Sequence, residues 1–252
     1  MRIISYGFER WIQHKLILNY PLIRLRDPRK ILKLYQQGDF VLFSGWNKMD
    51  RKVLEELRDS GIPMFPDADT LLKFTDRRYA TQFLDEHTLF SGQYTRHYDQ
   101  GRKEIPDIGY EQLVLKLGDH HVGKGKYIKQ AGDMINSSDS WILEPFIKGR
   151  SLRVLILKDN YSVIEHVNNQ NWIKNIDPES EIITLDYPSS IVKDALNIAE
   201  KMNSEFLGID YQLGENNSIL PLEINVLPGC PDSPLIEKGY FHTVMSAIKQ
   251  HS

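Results

Sequence analysis

A single cysteine, Cys230, in 252 residues excludes an internal disulfide, and the lack of clustered His or Cys pairs leaves no zinc spacing. Charge of one sign is not in excess. The chain has 31 Lys and Arg against 34 Asp and Glu, a formal net charge of -3 with both signs interspersed. That balance gives no electrostatic footprint for nucleic acid or an anionic membrane. No apolar run approaches a membrane span, and Met1 to Lys15 carry Glu9, Arg10, Trp11 and His14 in place of an apolar signal core. Repeats and low-complexity tracts are also lacking. The expectation is a cytoplasmic protein with neither nucleic acid nor membrane as partner; a homo-oligomer is left open.

What is present is alternating apolar pattern and punctuation. Ile3-Ile4-Ser5-Tyr6 and Phe40-Val41-Leu42-Phe43 read as strands, with a helical stretch opened by Asp27-Pro28 and ending near Gly38 between them. A helix from Asp50 to Ser60, with Val53, Leu54 and Leu57 on one face and Gly61 as its stop, leads to a third strand at Ile62 to Phe65. Residues 1–66 are therefore expected to form a small α/β domain. Trp11 to Arg26 has no clean period and reads as either helix or loop.

Helices are expected at Asp69 to Phe74 and Asp76 to His87, then a strand at Gln93 to Tyr98 and a polar loop from Gly101 to Gly109. Beyond residue 112, strands dominate as antiparallel sheet: Gln112 to Leu117, Lys126 to Lys129, Trp141 to Ile147, Leu152 to Leu157 and Ser162 to Val167. A helix from Ser190 to Asn203, a hairpin and a last helix from Ser233-Pro234 to Lys249 complete the chain.

The hairpin carries the most informative residues. On a strand, side chains two apart share a face, so Glu223 and Asn225 point the same way, and Asp210 can lie beside them on the neighbouring strand. Three hard oxygen ligands of this kind suit Mg²⁺ bridging nucleotide phosphates. Taken alone, the pattern equally fits a hairpin with a polar solvent face. Upstream, Lys116 ends a strand before a loop containing Gly123 and Gly125, a combination that can place a cation and close-approaching amides on phosphates. A plain hairpin fits that segment too. In Leu143-Glu144-Pro145-Phe146-Ile147, the proline interrupts the pairing ladder, so neighbouring backbone groups could meet an adenine edge; an ordinary edge strand is the alternative. Arg153 lies inside an apolar strand, on either its inner or its solvent face, and could grip a phosphoryl group or carboxylate bidentately. Asn168 to Asn171, Lys174 and Asn175 form a polar run that could be a substrate loop or simply a turn. His120, His121 and His166 are undecided.

In this order the motifs resemble the ATP-grasp superfamily, above all its RimK-like branch of carboxylate-amine ligases, with glutathione synthetase more distant. The resemblance covers roughly residues 70–250. It implies an α+β ATP-grasp fold in which two subdomains, 67–144 and 145–252, clasp ATP behind the N-terminal α/β domain. By resemblance, Lys116, Gly123, Gly125, Glu144, Phe146 and Ile147 bind the nucleotide, and Arg153 stands near the γ-phosphate as a catalytic residue with Lys116. Asp210, Glu223 and Asn225 hold Mg²⁺ or Mn²⁺, and the Pro228-Gly229 that follows is also the family's. The implied activity joins a small-molecule or peptide carboxylate to an amine through an acylphosphate. A kinase acting on a hydroxyl, or a nucleotide-binding protein without turnover, are the alternatives. Two departures stand out. Asp76-Arg77 replaces the family's Asp-Lys pair, making Arg77 the nucleotide-binding substitute. Trp172-Ile173-Lys174-Asn175 replaces an Arg-Ser-Asn run, leaving Lys174 and Asn175 as substrate residues.

Overall fold

The computed structural model describes residues 1–6, 10–43, 51–118, 125–158, 160–167, 181–183, 187–228 and 234–251. The first strands, β1 (Ile3–Tyr6), β2 (Leu22–Leu25), β3 (Phe40–Phe43) and β4 (Met64–Phe65), form a parallel sheet in the order β2-β1-β3-β4. Between them run α1 (Arg10–Ile17), the short α2 (Ile31–Leu34) and α3 (Arg51–Asp59). A parallel sheet is covered on both faces, which is why β3 is apolar throughout and β1 departs from that only at Ser5 and Tyr6. Ile4, Val41 and Phe43 pack with Leu54 and Leu57 of α3, while Ile3, Phe40 and Leu42 pack with Ile12 and Leu16 of α1.

The helices α4 (Ala68–Phe74) and α5 (Arg77–His87) each begin at an aspartate whose carboxylate accepts a backbone N–H three residues on. Asp67 caps Thr70 at 2.8 Å and Asp76 caps Tyr79 at 2.9 Å. Six strands follow: β5 (His97–Gln100), β6 (Lys103–Glu104), β7 (Leu113–Leu117), β8 (Lys126–Lys129), β9 (Met134–Ile135) and β10 (Ser140–Pro145). They make an antiparallel central sheet, β5-β10-β7-β8, and a small β6-β9 ribbon. Odd positions of this sheet, Leu113, Leu115, Trp141 and Leu143, build a core of their own with Ile105 and Ile135. The even positions Val114, Lys116, Ile142 and Glu144 therefore face the other way.

The C-terminal part contains β11 (Gly149–Leu157), β12 (Asn160–Val167), β13 (Glu181–Ile183), α6 (Ser189–Met202), β14 (Phe206–Gly214), β15 (Ile219–Asn225) and α7 (Pro234–Gln250). Its sheet is ordered β13-β12-β11-β14-β15, antiparallel throughout, with β15 at the edge. Leu152, Val154, Ile209, Tyr211 and Ile224 share one core with Ile191, Ala195 and Ile198 of α6. Tyr211 donates its hydroxyl to the buried Asp194 of α6 at 2.8 Å, which fixes that face. Arg153, Asp210, Glu223 and Asn225 consequently lie on the opposite face. Ile236, Tyr240, Val244 and Ile248 of α7 join Leu155 and Leu157 to Ile3 and Phe40, so the C-terminal helix ties the last sheet to the first. Among the described residues, no helix is long and apolar enough to cross a membrane.

Four details depart from the sequence expectation. The helical stretch after Pro28 stops at Leu34 because Tyr35 is already extended, short of Gly38. Trp11 to Arg26 holds both α1 and β2, the latter added by pairing with β1. The strand expected at Gln93 to Tyr98 lies at His97–Gln100, where it can pair with β10. The loop after Gly101 contains β6, which forms only through its partner β9.

Candidate active site

The even face of the central sheet and the polar face of the C-terminal sheet meet at the edge of β15. Register places Asp210 between Arg153 on β11 and Glu223 on β15, and cross-strand partners share a face. Arg153 grips Asp210 bidentately, Nε to Oδ1 at 2.6 Å and an Nη to Oδ2 at 2.8 Å, and Asn225 Nδ2 donates to Oδ2 at 3.2 Å. Gly208, opposite Asn225, has a steric role. A Cβ there would come within 2.9 Å of Pro228, which would have to shift, while Arg153 at 3.5 Å would be in ordinary contact. Arg150 belongs to the other face, where it pairs with Glu165 at 2.7 Å.

The pairing of β14 with β15 slips between Asp210 and Tyr211, so Leu222 is the extra residue of a β-bulge beside Pro221, which has no N–H to offer. Both carbonyls are taken by cations, one on β7 and one immediately before β5. Lys116 Nζ donates to Leu222 O at 3.1 Å, and Arg96 donates to Pro221 O. These cations share Glu144, which lies 2.7 Å from Lys116 Nζ and 3.1 Å from Arg96 Nε. Arg96 also pairs with Asp85 of α5 and lies over the ring of Tyr94 at 4.8 Å, while Tyr94 and Tyr98 donate their hydroxyls to Asp85.

Burial sets the electrostatics of this cluster. It pushes the Lys116 ammonium down to about 8, against the pull of Glu144. Burial would also raise Glu144, but Lys116 and Arg96 outweigh it and hold the carboxyl below its ordinary range. Glu223 is likewise resisted by burial, yet Lys126, Lys116, Arg77 and Arg153 together push it down to about 2. Lys126, opposite Lys116 in register, reaches Glu223 Oε2 at 3.5 Å.

Arg77 is positioned by the cap that starts α5. With Asp76 holding the helix N-terminus, the Arg77 side chain donates to the carbonyls of Leu117 at 3.2 Å and Gly118 at 3.0 Å, where β7 ends. Gly125 adopts a φ of +68, a backbone that favours glycine, and its carbonyl accepts from Leu117 N–H at 2.8 Å, closing the loop base. Arg77, Lys116, Leu222 and Glu223 line one pocket with Phe74, Ala80, Thr81 and Ile224.

Lys116, Arg77, Arg153, Asp210, Glu223 and Asn225 are thus brought together. Glu144 joins them through its carboxylate, engaged by Lys116 and Arg96 and so not directed to a ligand. Of the expected adenine-reading segment, the Phe146 N–H donates to Gln112 O at 3.0 Å. The ladder partner β5 stops opposite Leu143, so β10 beyond it pairs only with β7. Ile147 packs over Gly214, where a Cβ would approach it to 2.8 Å. Gly123, Lys174, Asn175, Gly229, His120, His121 and Asn168 to Asn171 lie outside the described residues. Arg96 and Lys126 were not singled out by motif. The Arg96–Tyr98 alternation hints only at a shared face, and that Lys126 faces Lys116 follows from the pairing of β7 with β8, which the sequence does not carry.

Chemically, this face can hold a hard cation and an anion together. Among the described residues, no three His, Cys, Asp or Glu side chains gather as a metal site. Asp210, Glu223 and Asn225 would nonetheless offer hard oxygen donors, the chemistry that Mg²⁺ prefers.

No family model and no curated protein matches the sequence. Solved structures do match the fold. D-alanine–D-alanine ligase from Bacillus anthracis complexed with ATP superposes with a TM-score of 0.70 at 16% identity, covering 100% of this chain and 97% of that one. The ATP-grasp ligase PsnB, complexed with a variant of its minimal precursor, Mg and ADP, gives 0.61 at 12% identity, covering 100% and 98%. The macrocyclase MdnC from Microcystis aeruginosa, bound to its precursor peptide, gives 0.62 at 13% identity, covering 98% and 100%. Over its whole length, then, this chain carries the mixed α/β fold of the ATP-grasp ligases.

Proposed function

We propose that the protein is an ATP- and Mg²⁺-dependent ligase that activates a carboxylate as its acylphosphate and joins it to an amine. The observation that carries this reading is the convergence of Asp210, Glu223, Asn225 and Arg153 on one face, within reach of Lys116 and Lys126 from the facing sheet. The fold neighbours support it, since their structures hold ATP or Mg and ADP at comparable overall architecture.

Asp210, Glu223 and Asn225 fit Mg²⁺ by donor chemistry, being hard oxygen ligands, two of them carboxylates. A cation held by these three residues would supply positive charge against the phosphates of the nucleotide. Lys116, sealed from water and fixed by Leu222 O and Glu144, would present its ammonium to the phosphates without reorganising. Arg77 would hold the base of the glycine loop in place by its bonds to the Leu117 and Gly118 carbonyls. Arg153 would orient Asp210 and face the transferred group. No side-chain nucleophile is needed. Within the fold, the motifs around Glu144 and Glu223 favour the RimK-like branch, and the peptide-bound neighbours favour an amino acid or peptide as the carboxylate partner. A cytoplasmic location, where ATP is available, completes the proposal.

Incubation with ATP, Mg²⁺ and a panel of amino acids and short peptides, with hydroxylamine as amine, should yield ADP and a hydroxamate in equal amounts. A stable phosphorylated product, or ATP binding without ADP release across the panel, would overturn the ligase reading.

A further inference from the structure

Lys126 belongs to no motif of the chain, yet it occupies a distinctive place. It begins β8 directly after Gly125, stands opposite Lys116 in register, and so shares the face that looks toward β15. Its Nζ reaches across the cleft to within 3.5 Å of Glu223 Oε2, joining the central sheet to the edge of the C-terminal sheet. Neither partner is sealed: Lys126 is 16% exposed and Glu223 25%. Both partners keep some contact with water, so the pair can open without stranding a charge in a dry interior. Asp210 has its own bidentate partner in Arg153, whereas Glu223 has Lys126 at 3.5 Å.

We propose that Lys126 is an exchangeable counter-ion of Glu223: it pairs with that carboxylate as seen here, and turns to the triphosphate of the nucleotide when Mg²⁺ takes Glu223. The inference rests on the ligase reading for the identity of nucleotide and metal. The physical reason is repulsion. A divalent cation on the Glu223 carboxylate and an ammonium a few ångströms away oppose one another, and the nearest anionic alternative for a flexible lysine beside Lys116 is the phosphate chain. The swap has two consequences of opposite sign. Removing the lysine charge takes a cation from the phosphates, and at the same time takes a competitor from the metal.

The test is a pair of equilibrium titrations on the full chain and on Lys126→Met and Lys126→Arg. A non-hydrolysable ATP analogue is titrated in excess Mg²⁺ by calorimetry, and Mn²⁺ is titrated alone as a paramagnetic probe of the metal site. Lys126→Met should weaken the analogue by roughly tenfold, the scale of one charged hydrogen bond, and tighten Mn²⁺ by several-fold. Lys126→Arg should keep the analogue affinity within about twofold, because the charge is retained. Unchanged analogue binding in Lys126→Met, Mn²⁺ binding that is equal or weaker, or equal losses in both variants would overturn this inference alone. No analogue binding by the unaltered chain would overturn the ligase reading and this inference with it.

Discussion

The two ionic clusters that meet at β15 differ in their access to water. In the central sheet, Arg96, Glu144 and Lys116 are 1%, 2% and 3% exposed, and each charge is answered by another buried group. On the C-terminal sheet, Asp210 and Arg153 are 9% and 14% exposed, and Glu223 is a quarter exposed. A sealed cluster cannot trade partners without stranding a charge, so it fixes geometry. The more open Glu223–Lys126 pair can give up a partner to an incoming ion. The cleft therefore joins a rigid cationic wall to an adaptable anionic one, the division of labour that gripping a metal-nucleotide requires.

The comparison breaks most visibly at Glu144. Glu144→Gln leaves Lys116 and Arg96 facing each other without their shared carboxylate and should cost about 3–5 kcal/mol, read from the urea midpoint. A loss under about 1 kcal/mol would mean that water enters the cluster. Next in size, Asp210→Asn or Glu223→Gln should lower Mg²⁺-dependent ADP release by about 100-fold or more. Unaltered turnover in both would remove the metal assignment.

A smaller effect concerns pH. In the free protein Lys116 gives up its proton as pH rises through about 8, whereas phosphates beside it would favour the charged form. Nucleotide affinity should then fall by up to about tenfold per pH unit above that point and be steady below it. Affinity that stays level from pH 7 to 10 would show that Lys116 does not meet the phosphates. Smallest of all, Arg150→Ala acts on the reverse face of β11 and should cost roughly 0.5–1 kcal/mol with nucleotide binding intact. Loss of binding would mean that the two faces of that sheet are not separate.

Much of this arrangement was legible from local pattern. The spacing of Glu223 and Asn225, the glycine before Asp210 and the lysine at the end of β7 carry their geometry in a few consecutive residues, because strand parity is a local property. Asp76-Arg77 was legible as a helix start and, by resemblance, as the place of a nucleotide-binding cation, whereas the capping bond and the two carbonyls that Arg77 meets were not. Arg96 was not. Its partners Asp85, Glu144 and Pro221 lie 11, 48 and 125 residues away, and only the packing of α5 and β15 against the central sheet brings them together. The bulge at Leu222 was hidden for a similar reason, since register exists only between strands. The short β2 and β6 escaped notice because their residues become strands through a partner, not through propensity.

The account stands on the cleft between these sheets gripping a nucleotide through a metal held by Asp210 and Glu223. Calorimetric titration of ATP with and without Mg²⁺, in the unaltered chain and in the double variant Asp210→Asn/Glu223→Gln, tests this most directly. Binding strengthened by Mg²⁺ in the former and indifferent to it in the latter is the predicted result; the same metal dependence in both would contradict it.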